Sequence, residues 1–468
     1  MKISFHGAAR TVTGSKHIIH LNNGKKILLD CGLFQGLREK TRMYNSDLGF
    51  DAKEITHVIL SHAHIDHSGL LPKLVKDGFE GKIWCTPATA SLAQILLADS
   101  AYIQEADVTY VNKKRAKQGL QYLSPIYKIS DAQRVFPMIR TLDYDEKLKI
   151  DDDIEIMLTD AGHILGSACV HLSLQENGKN VQVTFSGDVG RYRDIILKSP
   201  SKFPQADYII LESTYGNSLH DDFRSANEEL LDHIEEVCVK QGGKIIIPAF
   251  SVGRTQEILY DLNMLELENR LPNIEYYVDS PLSNKATSII KEHPECYNRR
   301  VQEILKRDSD PFGFKGLTFI TKADDSKALN SRKNPAVIIS ASGMADAGRV
   351  KHHIANNISD EKNLILIVGY CEPNSLGARL ARGDEKVRIF REEYQVKAKV
   401  ASIRSMSAHA DYDDLCQFLA CQNPKAVDKL FLVHGEYEVQ KDFARKLVKK
   451  GFHDVVIPEM HETIGLGV

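Results

Sequence analysis

The sequence predicts an α/β protein with two or more buried sheets. Three observations carry this. First, short runs of β-branched and aliphatic residues recur, each ending in small or polar residues. Second, helical patterns such as Asn227–Lys240 and Arg254–Glu268 lie between them. Third, the polar residues at the run ends are Asp, His and Glu, and α/β sheets place ligands beyond the C-terminal ends of their strands.

In chain order, the runs are Ile27–Leu29 before Asp30, His57–Leu60 before Ser61, Val181–Phe185 before Ser186-Gly187-Asp188, and Tyr208–Leu211 before Glu212. Lys244–Ile247 precedes Pro248, Ala336–Ile339 precedes Ser340, Leu364–Val368 precedes Gly369, and Leu430–Val433 precedes His434. Asp151–Asp153 reads as a turn before a strand at Ile154. The most basic local run, Lys113-Lys114-Arg115 with Lys117, reads as a solvated helix face. His352-His353, on a helix after Gly348, reads as surface.

Composition narrows the class. Hydrophobic residues make up 43% of 468, and 60 Lys+Arg stand against 63 Asp+Glu for a net charge of -3. That excludes general disorder and any global attraction to polyanions, so a polyanion site must be a local patch or a metal. Eight cysteines without a CxxC pair read as free thiols of a reducing cytoplasm. No apolar stretch reads as a signal peptide or membrane span.

The chemistry concentrates in His62-Ala-His64-Ile-Asp66-His67. Imidazole and carboxylate suit zinc. Ligands packed this tightly cannot all reach one tetrahedral ion from a regular strand or helix, so a tight loop serving two ions is expected. His163, Asp188 and His434, each at a Gly-flanked strand end, are candidates to complete the set.

At these residues the chain resembles the metallo-β-lactamase superfamily, which carries an HxHxDH loop, a later His and then an Asp in this order. The resemblance implies one zinc on His62, His64 and His163, a second on Asp66, His67 and His434, and Asp188 bridging. Asp30 matches the motif whose Asp supports the metal loop. The interval from Asp188 to His434 has room for a whole further domain. Leu211-Glu-Ser-Thr-Tyr-Gly216 and Ser405-Met-Ser-Ala-His-Ala-Asp411 resemble motifs A and B of the β-CASP subfamily of nucleic-acid-processing hydrolases, with His434 at motif C. A DNA-repair nuclease of that subfamily would lack the motif C histidine.

The resemblance runs along the whole chain and implies a metallo-β-lactamase αββα sandwich, residues 1–212 and 400–468, with an inserted β-CASP α/β domain, residues 213–399. The expected form is the short prokaryotic one, similar to the mRNA 3′-processing endonuclease, without an appended KH-type or RNase J-type C-terminal module. The implied activity is zinc-dependent hydrolysis of single-stranded RNA to 5′-phosphate and 3′-hydroxyl ends, with two zinc ions per chain. His409 is then the general acid, Glu212 orients it, and Asp66 and Asp188 serve the reaction as ligands. Ser251, Gly253, Arg254, Ser340, Ser342, Gly343 and Arg379 are candidates for RNA phosphate contacts. A homodimer is compatible with the sequence, and no membrane partner is expected. Two rival readings are a small-molecule metallo-hydrolase with the same metals and a catalytically impaired RNA-binding scaffold.

Overall fold

The computed structural model describes residues 1–36, 39–220, 226–369, 371–372, 374–403 and 408–467. The chain divides into two compact units, one formed by Met1–Leu219 with His409–Val468 and the other by His220–Ala408. The chain therefore leaves the first unit after Leu219 and returns at His409, against expected crossings at 212/213 and 399/400. Local hydrogen bonds account for the extension: Ser213 Oγ donates to Val433 O at 2.6 Å, and Tyr412 N donates to Ser218 O at 3.1 Å.

The first unit holds two seven-stranded sheets. One runs in the order Thr463–Gly465, Lys2–Gly7, Lys16–His20, Lys26–Leu29, His57–Ile59, Lys82–Cys85, Ile139–Thr141. It is antiparallel up to Lys26–Leu29 and parallel from there. The other runs Val455–Val456, Lys429–Val433, Tyr208–Glu212, Lys179–Phe185, Ala168–Glu176, Ile154–Asp160, Lys147–Asp151.

Side-chain alternation explains how the second sheet is buried on both faces. Within Lys429–Val433, Phe431 and Val433 join Phe5, Ile27, Leu29, Ile156, Leu158, Val170 and Phe185 between the sheets. Leu430 and Leu432 point the other way, to Leu415, Phe418, Phe443 and Leu447 of the helices Tyr412–Leu419 and Tyr437–Lys449. Each fully buried Leu or Phe contributes about 1.5–3 kcal/mol by leaving water, so both faces fix the register of this strand. The strand ends that carry Asp30, Asp188, Glu212 and His434 are thereby held by core packing.

The second unit is built on six parallel strands in the order Leu317–Ile320, Glu275–Asp279, Ala336–Ser340, Lys244–Pro248, Leu364–Val368, Lys399–Ile403. Lys244–Pro248, Ala336–Ser340 and Leu364–Val368 are buried at every residue, the reason they read as continuous apolar runs.

Two local readings change. The helix expected over Asn227–Lys240 is α-helical over Ala226–Ile234 and widens into π-type turns over Glu235–Lys240. Of the pair His352-His353, only His352 is exposed. His353 is buried, with Nε2 at 2.6 Å from Asp279 Oδ2 and Nδ1 at 2.9 Å from Asn330 Oδ1. The buried Asp279 carboxylate, also bonded by Arg349 and Ser326, draws it inward. Among the described residues no helix is long and apolar enough to cross a membrane.

Candidate metal centre

The HxHxDH segment leaves the strand His57–Ile59 and enters a single helical turn, Ile65–Ser68. His62 and His64 lie on the extended part, and Asp66 and His67 on the turn, so the cluster splits into two ligand sets. Its seat is a close backbone approach: a Cβ on Gly32 would fall 1.6 Å from Asp66 O. His163 and Asp188 are brought together in the same way, because a Cβ on Gly190 would fall 1.8 Å from Gly162 O.

All seven expected ligands converge in the first unit. His62, His64, His163 and Asp188 present ligand atoms within 4.8 Å of one another, and Asp66, His67 and His434 form a second such group. His62 Nε2 and His64 Nδ1 are 3.2 Å apart, His163 Nε2 and His64 Nδ1 3.3 Å, and His67 Nε2 and His434 Nε2 3.3 Å. Two nitrogens about 2.0–2.1 Å from one tetrahedral ion stand about 3.3–3.4 Å apart, so these are the spacings of shared coordination. Asp188 stands between the groups. Its Oδ2 is 3.6 Å from both His62 Nε2 and His163 Nε2, and its Oδ1 is 3.3 Å from His67 Nε2 and 3.5 Å from His434 Nδ1. Asp188 Oδ1 is buried without a hydrogen-bond partner, which a cation would satisfy. The donor set fits two neighbouring ions.

Ligation needs neutral imidazole and ionised carboxylate. Burial lowers the His67 pKa, but the Asp188 and Asp30 charges outweigh it and raise it well above the usual range, so an ion there displaces a proton. His62, His64 and Asp66 already favour the ligating form. Burial holds His62 well below its usual range and His64 at about 4. Burial pushes the Asp66 carboxyl up, but the histidines 434, 67 and 64 outweigh it and hold the group at about 2.

Asp30 supports the loop from beneath. It sits at φ 58° and accepts from Ser61 N at 2.8 Å and Ser61 Oγ at 2.9 Å, with His67 Nδ1 at 2.6 Å from Oδ2. The contact to Nδ1 leaves His67 Nε2 facing Asp188 and fixes the ring. Ser61 Oγ lies 3.0 Å from His62 Nδ1 and orients the second histidine. Ser61 escapes a reading from sequence, though it directly precedes the motif.

Beside the ligands stands a second pair. His409 Nδ1 is 3.4 Å from Glu212 Oε1 and 3.9 Å from Asp188 Oδ2. The His409 side chain keeps 23% of its surface exposed, whereas Glu212 is fully buried. Burial lowers the His409 pKa, but the facing Glu212 and Asp188 charges outweigh it and raise it to about 9. Glu212 also lies within ligand distance of Asp188 and His434. Its oxygens are already engaged: Oε1 accepts from Val189 N at 2.6 Å, and Oε2 from Thr214 Oγ1 at 2.7 Å. That makes it an orienting group for His409. Thr214, 3.1 Å from His434 Nδ1 through the same Oγ1, ties the two motifs together and is another residue that sequence reasoning missed. Of motif B, residues 405–407 lie outside the described residues.

The candidate phosphate contacts belong to the second unit. Ser251 and Gly253 follow the strand Lys244–Pro248, Ser340 ends its neighbour Ala336–Ser340, and Ser342 and Gly343 follow that strand. Gly343 packs on Phe250, where a Cβ would fall 2.7 Å from the ring. Gly377 N, on the helix Leu376–Ala381 that also carries Arg379, donates to Met344 O at 3.0 Å. These serines and glycines lie at the C-terminal ends of two neighbouring central strands, but neither arginine stands ready there. Arg254 is buried and paired with Glu257, and Arg379 Nε donates to Asp384 at 2.9 Å. Ser340 Oγ is likewise committed, to Asp279 O at 2.8 Å.

Comparison with known proteins accords with this architecture. The metallo-beta-lactamase superfamily matches residues 17–239, the Beta-Casp domain matches 255–380, and the Zn-dependent metallo-hydrolase RNA specificity domain matches 393–458. Ribonuclease TTHA0252 of Thermus thermophilus is 35% identical over 96% of this chain and 97% of its own length. An RNase J-like protein of Methanocaldococcus jannaschii is 30% identical over 96% of this chain and 95% of its own. Transcription termination factor FttA of Pyrococcus horikoshii is 32% identical over 89% of this chain and 64% of its own. With these matches and the metal-binding histidine–aspartate cluster, the chain belongs to the metallo-β-lactamase superfamily as a β-CASP metal-dependent hydrolase.

Proposed function

We propose that the protein is a zinc-dependent ribonuclease that hydrolyses single-stranded RNA to 5′-phosphate and 3′-hydroxyl ends, in cytoplasmic RNA processing or decay. The observation that carries the reading is the His409–Glu212 pair set directly against a complete double ligand set. The retained ligands argue against an impaired scaffold. The matched RNA specificity domain and the ribonuclease relatives favour RNA over a small molecule. The free state of the described cysteines supports a reducing compartment.

Held by these ligands, two zinc ions would supply positive charge against the phosphate oxygens and a water acidified to a pKa of about 7. The remaining work falls to the chain. Attack of water on phosphorus breaks the bond to the 3′-oxygen, which needs a proton as it departs. His409 delivers it from Nε2, while Glu212 holds Nδ1 and stabilises the imidazolium. The proton lost by the attacking water restores the imidazolium for the next cycle. Glu212 cannot swing away, because Val189 N and Thr214 clamp both its oxygens.

Elemental analysis of protein purified without chelator should show about two zinc equivalents per chain, as the paired ligand sets require. Chelation should abolish RNA cleavage and leave the circular dichroism spectrum unchanged, since the apolar cores of the first unit do not include the ligand residues. A reproducible single equivalent in fully active protein would remove the second ion from the reading.

In the second unit, the phosphate-binding reading puts backbone contacts at Ser251, Gly253, Ser342 and Gly343, supported by their position just beyond the C-terminal ends of two neighbouring parallel strands. Arg379, at 34% side-chain exposure, reaches a phosphate by leaving Asp384. Arg379→Ala should weaken RNA binding and reduce its salt slope by about one counterion. The buried Arg254 should act on stability through Glu257 first. An unchanged salt slope in Arg379→Ala would return that residue to a structural role.

A further inference from the structure

The second unit carries a small antiparallel hairpin, Lys386–Ile389 with Glu392–Gln395, beside the helix Val350–Asn357. The hairpin is seated by its apolar face. Val387 and Ile389 are buried in one cluster with Val350, Ile354 and Leu380. Its two-residue turn, Phe390-Arg391, is thereby held against the helix. Phe390 stacks on His352, with ring centroids 4.4 Å apart and planes at 30°, yet 47% of Phe390 stays exposed. His352 is exposed as well, so the stack is open to solvent.

The turn is costly to hold. Phe390 and Arg391 both sit at positive φ, 51° and 73°. A two-residue hairpin turn of that kind favours Asn-Gly, because a larger side chain on a left-handed residue crowds its own backbone. Bulky residues kept at such positions point to a use for their side chains.

The surroundings are basic. The Lys351 ammonium lies 5.0 Å from the centroid of the Phe390 ring. Arg388 and Arg391 are exposed and have no hydrogen-bond or ion-pair partner among the described residues. The neighbouring acids are engaged. Glu393 pairs with Lys386 at 3.0 Å, and Glu392 accepts from the Tyr394 hydroxyl at 3.0 Å. An open aromatic stack among unpaired cations is complementary to unpaired bases joined by phosphates. A protein partner calls instead for an apolar centre depleted of charge.

We propose that Phe390 and His352 form a base-stacking platform for single-stranded RNA, with Lys351, Arg388 and Arg391 meeting its phosphates. The platform uses none of the metal ligands, and its assignment to RNA rests on the ribonuclease reading.

The test uses the full chain carrying Asp188→Ala, so that bound RNA is not cut. Fluorescence anisotropy should show a uridine dodecamer and an adenosine dodecamer both bound, since stacking tolerates any base, and an abasic strand of equal length bound more weakly. Phe390→Ala should weaken uridine-strand binding about tenfold, the size of one lost base stack, and leave the abasic strand unchanged. Arg391→Gly removes a cation and relaxes the left-handed position. It should lower the salt slope by about 0.7 without lowering the melting temperature. Circular dichroism reports that each variant is folded. Full uridine-strand affinity in Phe390→Ala overturns the platform, and if the parent chain still cleaves RNA the ribonuclease reading survives alone. An equal defect on the abasic strand also overturns it, because the ring then stacks on no base. The expected defect in Phe390→Ala, with no RNA cleavage by the parent chain, supports the platform and overturns the ribonuclease reading.

Discussion

Asp188→Ala is expected to abolish RNA cleavage, with a loss of about 10³-fold or more. The carboxylate faces both ligand groups at once, 3.6 Å from His62 and His163 and 3.3 Å from His67. Removing it takes a negative ligand from each, and several kcal/mol of transition-state stabilisation translates into that rate loss. His64→Ala should behave alike but leave the second group, Asp66, His67 and His434, with its own donors. The comparison is therefore informative: Asp188→Ala should lower occupancy at both positions, His64→Ala mainly at one. Folding should survive in both, as the sandwich core is apolar and continuous. Retained cleavage in both variants, measured on metal-replete protein, would refute the assignment of the centre.

His409→Ala should separate proton transfer from metal binding. The variant should keep both zinc equivalents and bind RNA, while cleavage falls about 10²–10⁴-fold, the range for losing an acid catalyst. The defect should shrink on a substrate whose 3′-leaving oxygen is replaced by sulfur, because a thiolate leaves without a proton. Glu212→Gln should give a milder loss in the same direction. The amide can still accept at Oε1 from Val189 N, but it no longer opposes an imidazolium with a full charge. The residue is raised to a pKa of about 9 by Glu212 and Asp188 against burial. If His409→Ala loses a zinc equivalent, the histidine is a ligand. If the sulfur substrate shows the full defect, His409 positions the phosphate only.

Much of the site was legible because its chemistry is dense in sequence. His62, His64, Asp66 and His67 fall on one loop, and His163, Asp188 and His434 sit at Gly-flanked strand ends that short apolar runs mark out. The residues that orient them were not. Ser61 and Thr214 act through single hydroxyl contacts, and Ser and Thr at strand ends are too common to stand out. His353 read as surface because its partner, Asp279, is remote in sequence and joined only by folding. Arg254 read as a phosphate ligand although Glu257 lies one helical turn away, a spacing at which opposite charges pair.

The order of strands in the second sheet has a consequence for how the enzyme comes into being. Tyr208–Glu212 is flanked by Lys179–Phe185 on one side and by Lys429–Val433 on the other, and that second neighbour is made only after the whole inserted unit. Synthesis proceeds at about 5–20 residues per second from the N-terminus. For the time taken to make His220–Ala408, the nascent chain carries His62, His64, Asp66, His67, His163 and Asp188 but has neither His409 nor His434. The edge of Tyr208–Glu212 stays unpaired over the same interval. A chain that stops early is thus left with six of its seven ligands and no acid, so the capacity to cut RNA arrives only once the chain has returned to the first unit.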